Sequence, residues 1–188
     1  MPWLPLYLGL VGAVALERLA ELRLSERNAR RALTPRGGVE HGRGHYPAMV
    51  ALHAAMLAAC AVEALRFPSP PPPAAWAAVA GVGLSQALRW WAVATLGERW
   101  STRVVVVPGA PPVVGGPYRF LRHPNYLAVV VEGACLPLAW GGWRTALLFG
   151  LANALLLRVR IRAEERALGP GWEAAFAGLP RLVPGGRR

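Results

Sequence analysis

The 188-residue chain contains no lysine and no aspartate; its 21 basic residues are all arginine and its 10 acidic residues all glutamate. The first absence excludes Schiff-base chemistry and the lysine of a phosphate-binding loop. The second excludes an EF-hand loop and an Asp-based catalytic triad. Cysteine is nearly absent too. Cys60 and Cys135 stand apart in apolar surroundings without CxxC spacing, which fits small buried thiols and not a redox pair. His41, His45, His53 and His123 match no zinc-ligand spacing, so no metal site is expected. Charged residues make up only 16% of the chain, against about a quarter in a soluble domain. A net charge of +11 could serve nucleic acid, but 54% hydrophobic content points to a membrane, and no nucleic-acid partner is expected.

A helix that crosses a bilayer needs about 20 mostly apolar residues. Five stretches approach this: residues 3–22, 47–67, 74–96, 124–140 and 141–161. The expected fold is therefore an all-α integral membrane protein of five spans. Gly141-Gly142 alone separates the last two, which read as a tight helical hairpin. A soluble bundle would need a polar face on every helix, and residues 147–157 offer only Asn153 and small side chains. Residues 1–96 then form three N-terminal spans with a basic loop at 23–46. Residues 97–188 form a second region, made of a linker at 97–123, the hairpin at 124–161 and a tail at 162–188. Of the 21 arginines, 17 fall in the 23–46 loop, the linker and the C-terminal stretch from Arg158 onward, all on one side of a five-span protein, while Arg66 and Arg144 fall on the other. The positive-inside rule places that basic side in the cytoplasm, with the N-terminus outside. The first residues lack a basic stretch, so no cleaved signal is expected. Ser69-Pro70-Pro71-Pro72-Pro73 reads as a stiff outer connection.

Two clusters could carry chemistry. The linker has a β-branched run at 104–107, then Pro108-Gly109 and Gly115-Gly116-Pro117-Tyr118, a strand-and-turn pattern. It leads into Arg122-His123-Pro124-Asn125-Tyr126. This last segment reads either as a Pro-initiated helix capped by His123 or as a helix start whose free amides seat a carboxylate or phosphate. The second cluster is Arg158 to Arg166, where Arg160 and Glu164 lie one turn apart. A snorkelling, ion-paired helix end would look the same. Charged residues within spans are functional candidates. Glu132 has no neighbouring arginine in sequence, Arg89 stands beside Trp90 and Trp91, and Glu17, Arg18 and Glu21 can pair among themselves. His45, just before Tyr46-Pro47 at the mouth of the second span, could be a general base or a solvated loop residue.

Taken jointly, Gly116-Pro117-Tyr118, Arg122-His123-Pro124-Asn125-Tyr126, Arg160-Ile161, Glu164-Glu165 and Leu168 resemble the isoprenylcysteine carboxyl methyltransferase family of integral membrane enzymes. Trp172, Phe176, Leu179-Pro180-Arg181 and Leu182-Val183-Pro184 resemble that family's closing segment, so the likeness covers about residues 97–184. The resemblance implies S-adenosylmethionine as cofactor, held by the C-terminal half at Pro112, Val113, Tyr118, His123, Pro124, Asn125, Tyr126 and Glu164. It implies that Arg160 faces the nucleophilic group of the acceptor. Ala128 stands where the family often has Gly, and Trp172 and Phe176 where Tyr is common; Gly169-Pro170-Gly171 interrupts the tail helix. Glu40-His41-Gly42-Arg43-Gly44-His45-Tyr46-Pro47 is similar to a bacterial branch that accompanies type III polyketide synthases and O-methylates alkylpyrones or phenolic lipids.

The acceptor implied is a lipophilic small molecule entering from the bilayer, with a carboxylate, enol or phenol oxygen. A carboxylate or hydroxypyrone is ionised at neutral pH, whereas a phenol, with a pKa near 10, gains from a base. His45 and Glu132 are the candidates for contact with it. An NADPH-dependent membrane reductase of the sterol type shares a similar Arg-His-Pro-x-Tyr segment, and a non-enzymatic membrane scaffold is the remaining alternative.

Overall fold

Five α-helices and one two-stranded ribbon make up the computed structural model, which describes residues 3–67 and 71–182. The expected positions at Val183, Pro184 and the terminal arginines, and part of the proline run at 69–73, lie outside the described residues. Helix α1 (Trp3–Leu33) is built from Leu, Ala, Glu and Arg, the strongest helix formers, and stops before Thr34-Pro35. It overruns the expected span, so the first part of the expected basic loop is helix. Residues 23–33 carry no Gly or Pro, and Arg30 and Glu26 pair one turn apart at 2.9 Å.

After α1 the chain makes strand β1 (Val39–His41), a short 3-10 turn at Arg43–His45, and helix α2 (Tyr46–Arg66) with Pro47 in its first turn. Helix α3 (Ala75–Leu96) ends at Gly97, whose φ of 55° suits only glycine comfortably. The linker supplies strand β2 (Val104–Val106), as its β-branched run leads one to expect. Its partner is β1, antiparallel, with Val39 opposite Val106 and His41 opposite Val104. Helix α4 (Pro124–Leu138) opens on Pro124, and α5 (Trp143–Ala175) follows across Gly141, whose φ is 90°. The two form the expected hairpin. Helix α5 breaks at Gly169, where φ 76° and ψ −173° leave the helical region immediately before Pro170.

Two of these helical segments, Trp3–Leu33 and Arg43–Arg66, are long and apolar enough to cross a membrane. Only 22% and 17% of their most apolar windows are buried inside the protein. Leu16, Leu65, Trp76, Leu84, Leu148 and Leu155 are exposed on the outer faces. The interior is sealed by Tyr7, Val11 and Val14 of α1, Met56 and Cys60 of α2, Val82 of α3, Leu136 of α4 and Phe149 of α5. Tyr7 donates a hydrogen bond to the Leu136 carbonyl at 3.2 Å, giving its buried hydroxyl a partner.

Small residues let the last three helices approach closely. A Cβ built on Gly133 of α4 would stand 2.0 Å from Cε1 of Phe149 on α5, and one on Gly81 of α3 would stand 2.5 Å from Sγ of Cys135. We expect Gly133→Ala to cost about 1–3 kcal/mol through overpacking. The measurement is a detergent-denaturation midpoint, and an unchanged midpoint would show that Phe149 has room to turn away.

The charges inside the bundle are paired. Glu132, on α4, accepts from Arg89 of α3 at 3.3 Å and from Arg18 of α1 at 3.4 Å. Arg18 also holds Glu21 at 2.7 Å and Glu17 at 3.4 Å. Gln86 and Trp90 of α3 donate to Glu17. The partners of Glu132 lie 43 and 114 positions away in sequence, which is why no local spacing reveals them.

Candidate active site: two cavities with one wall

The linker is folded so that Tyr118 points inward. Gly116 takes a φ of 54° and lies against α3; a Cβ there would be 2.2 Å from Oγ1 of Thr95. The following 3-10 turn buries Tyr118 with Ala92, Trp172 and Phe176. Burial pushes the Tyr118 phenol above its ordinary pKa, with the Glu164 carboxylate adding to the shift, so it remains protonated at neutral pH.

Beyond Phe176 the chain doubles back on the start of α4. The Arg122 amide donates to the Pro180 carbonyl at 3.0 Å and the His123 amide to Arg181 at 3.1 Å. Arg181 grips both oxygens of Glu165, at 2.9 and 2.7 Å, and His123 Nε2 lies 3.2 Å from the same carboxylate. Burial alone would raise the Glu165 pKa, but Arg181 and His123 outweigh it and hold the carboxyl below its usual range. The His123 ring stacks on Tyr126 with centroids 5.2 Å apart. These contacts narrow the anion seat expected at this helix start. Pro124 has no N–H, the His123 amide is taken by Arg181, and those of Tyr126 and Leu127 bond back to the His123 carbonyl. Arg36, Arg99, Arg103 and Arg122 line the space above, Arg36 paired with Glu98 and Arg103 with Glu26.

That space is a cavity of about 430 Å³ enclosed by the end of α1, the linker, the start of α4 and the second half of α5. A second cavity, about 420 Å³, lies between α1, α2, α4 and α5 and has apolar walls from Leu19, Val50, Leu57, Val129 and Leu156. Both volumes fall within the range of small-molecule sites, roughly 300–1,000 Å³. Trp100, Asn125, Tyr126 and Arg160 line both cavities.

Arg160 is 5% exposed. Its Nε donates to the Tyr126 hydroxyl at 2.7 Å and its Nη2 to the Thr102 carbonyl at 2.6 Å, while Tyr126 donates onward to Glu164. Nη1 is buried and has no hydrogen-bond partner among the described residues; neither has Asn125 Oδ1. A charged donor left open in a buried wall is costly unless a ligand completes it.

The sequence profile of the Isoprenylcysteine carboxyl methyltransferase (ICMT) family matches residues 78–170. The chain is also 37% identical over 160 residues to the uncharacterized protein YpbQ of Bacillus subtilis (strain 168), an alignment covering 85% of this chain and 94% of that protein. The chain belongs to the isoprenylcysteine carboxyl methyltransferase family. Membership implies a methyltransferase.

The ICMT-matched stretch contains every candidate on the linker, the hairpin and the kinked helix. Pro112, Val113, Tyr118, His123, Asn125, Tyr126, Arg160 and Glu164 all line the first cavity. Pro124 does not; it is buried as the first residue of α4. His45 lines the second cavity, with Nε2 buried and without a partner among the described residues. Glu132 lines neither, being spent on Arg18 and Arg89. Sequence reasoning missed Thr102 and Trp100. Thr102 acts through its backbone carbonyl, which no side-chain pattern reports. It missed equally that Asn28 and Ala32 of α1, with Arg36 just after that helix, wall the first cavity. The second cavity is built partly by α1 and α2, which lie outside the matched stretch.

Proposed function

We propose that this protein is an integral membrane enzyme that moves a methyl group from S-adenosylmethionine to an oxygen of a lipid-tailed acceptor. One observation carries the reading: Arg160 stands in the wall between a cavity lined by further arginines and a more apolar one, with one guanidinium nitrogen uncommitted. The residues present fit the cofactor. Tyr118, Trp172 and Phe176 offer ring faces to an adenine or a sulfonium. Glu164, fixed by Tyr126, offers an acceptor to a ribose hydroxyl or an ammonium. When bound, S-adenosylmethionine supplies an electrophilic methyl group. Arg160 Nη1 then holds the acceptor oxygen against the shared wall, and the Tyr126 and Thr102 bonds keep the guanidinium from turning. Catalysis in such a site is chiefly placement.

The apolar second cavity and the outward-facing leucines support a membrane location and a lipophilic acceptor. Helices α1 and α2, and with them the other three, cross the bilayer in this reading, with the arginine-rich segments and the C-terminus in the cytoplasm. An alkylpyrone or phenolic lipid, the product of a type III polyketide synthase, is the acceptor this reading favours. Comparing lipids from cells with and without the gene, by mass spectrometry, identifies it through a gain of one methyl group.

Calorimetric titration of the purified protein tests the cofactor. We expect saturable binding of S-adenosylhomocysteine and none of NADPH. Glu164→Ala removes a carboxylate that lines only the first cavity, and we expect it to weaken S-adenosylhomocysteine binding about tenfold, the loss of one charge-assisted hydrogen bond. Binding of NADPH alone would favour a reductase, and binding of neither a scaffold.

A further inference from the structure

The second cavity holds a basic side chain, His45, that lies outside the stretch matched by the family profile. We propose that His45 is the general base of the reaction, taking the proton from an acceptor hydroxyl that is not ionised at neutral pH. This rests on the methyltransferase reading above and narrows it: the acceptor is a phenol or a comparably weak acid, not a carboxylate.

The geometry holds the ring in place. Gly42, at φ 64°, opens the 3-10 turn that carries His45, and the ring lies directly over it; a Cβ at Gly42 would be 2.2 Å from His45 Cε1. The position therefore demands glycine twice, for its backbone and for the space above it. Nε2 is buried at the cavity with no partner among the described residues. His53 is the other imidazole on the cavity, but its Nδ1 is bonded to the Met49 carbonyl at 2.8 Å. It also lies eight residues further along α2, roughly 12 Å from the Arg160 end at helical rise. Glu21 also lines the cavity, but it is paired with Arg18 at 2.7 Å and lies 3.6 Å from Arg89.

The groups that face His45 favour the neutral, proton-accepting form. Arg160 approaches from α5, Tyr126 and Asn125 from α4, and Tyr46 follows it in the chain, its hydroxyl 3.2 Å from that of Thr102. Arg18 and Glu21 of α1 and Arg89 of α3 line the same cavity. Burial first, and the Arg160 charge second, keep the imidazole below its ordinary pKa near 6.5. His45 is therefore unprotonated at neutral pH, and its function is lost as pH falls through that lowered value.

In the reaction the acceptor O–H proton passes to Nε2. The oxygen electron pair forms the new O–CH3 bond as the S–CH3 bond breaks, and that bond's pair stays on sulfur, giving the neutral thioether. Arg160 Nη1 bears the charge developing on oxygen. The imidazolium returns its proton to water once product has left.

The test uses the full chain in lipid nanodiscs with two acceptors, a long-chain alkylphenol and a long-chain alkyl-4-hydroxypyrone that is ionised at neutral pH. For the wild type we expect kcat/KM on the phenol to rise with pH below neutrality and then level. In His45→Gln we expect the ratio of phenol to pyrone kcat/KM to fall about 100-fold, within the usual range for losing a general base, and to recover as the phenol ionises at high pH. Gly42→Ala, which displaces the ring, is expected to lower the same ratio. S-adenosylhomocysteine affinity, measured by calorimetry, reports folding and is expected to stay within twofold, since His45 does not line the first cavity. An unchanged ratio in His45→Gln, or equal losses on both acceptors, overturns the proposal. So does a wild type that methylates only the pyrone. A wild type that binds no S-adenosylhomocysteine overturns the methyltransferase reading, and this one with it.

Discussion

Arg160→Gln is expected to lower kcat by about 10²–10³-fold, the loss typical of a removed oxyanion donor. Three commitments make this residue hard to replace. Nε positions the Tyr126 hydroxyl, Nη2 ties α5 to the linker through Thr102, and Nη1 is left for the acceptor. Glutamine can keep one of these. It cannot offer a permanent positive charge to an oxygen that becomes more negative as it approaches the methyl group. Arg160→Lys is expected to recover little, because a single ammonium on a flexible stem cannot reach three directions at once. The separation of effects is the informative part. S-adenosylhomocysteine carries no acceptor oxygen, so its affinity is expected to fall only a fewfold, through loosening of Tyr126 and Glu164. A loss of product affinity as large as the loss of turnover would move Arg160 from the acceptor side of the wall to the cofactor side.

Element positions were readable wherever one local signal governed them. Pro124 marks the start of α4, Gly141-Gly142 the hairpin, and Gly169-Pro170 the break in α5, because proline and glycine act on the backbone of their own position. The motif residues of the C-terminal half were readable together because the 3.6-residue period sets Arg160 and Glu164 on one face. Two things were hidden. The pairing of Val39–His41 with Val104–Val106 joins strands of three residues each, far too short to show alternation. The second cavity is an assembly of α1, α2, α4 and α5, and its lining depends on how helices distant in sequence pack. The basic loop was misjudged for a related reason. Arginine and glutamate are good helix formers, so a charged stretch after an apolar one can remain helical as it leaves the apolar layer.

Arg89→Leu is expected to be the most destabilising of the single substitutions considered. Arg89 is 2% exposed, and its Nη2 lies 3.3 Å from a Glu132 that is itself 1% exposed. Its Nε lies 3.3 Å from Gln86 and 3.6 Å from Glu21. The cluster holds three carboxylates, Glu17, Glu21 and Glu132, against two guanidiniums, Arg18 and Arg89. Removing one guanidinium leaves three negative charges facing one positive charge in the bundle interior. Breaking a buried pair in this way costs about 3–5 kcal/mol. At roughly 2–4 °C per kcal/mol for a chain of this size, the melting temperature should fall by about 6–20 °C. Glu132→Gln is expected to cost less, since it removes a negative charge from the cluster and keeps an oxygen for both arginines. The decisive comparison is the double variant Arg89→Leu with Glu132→Leu, which restores the original balance and replaces the pair by apolar volume. Such replacements are often neutral or stabilising, so the double variant should melt above Arg89→Leu alone. If the two losses simply add, Arg89 and Glu132 are not coupled, and the cluster does not clamp α3 to α4.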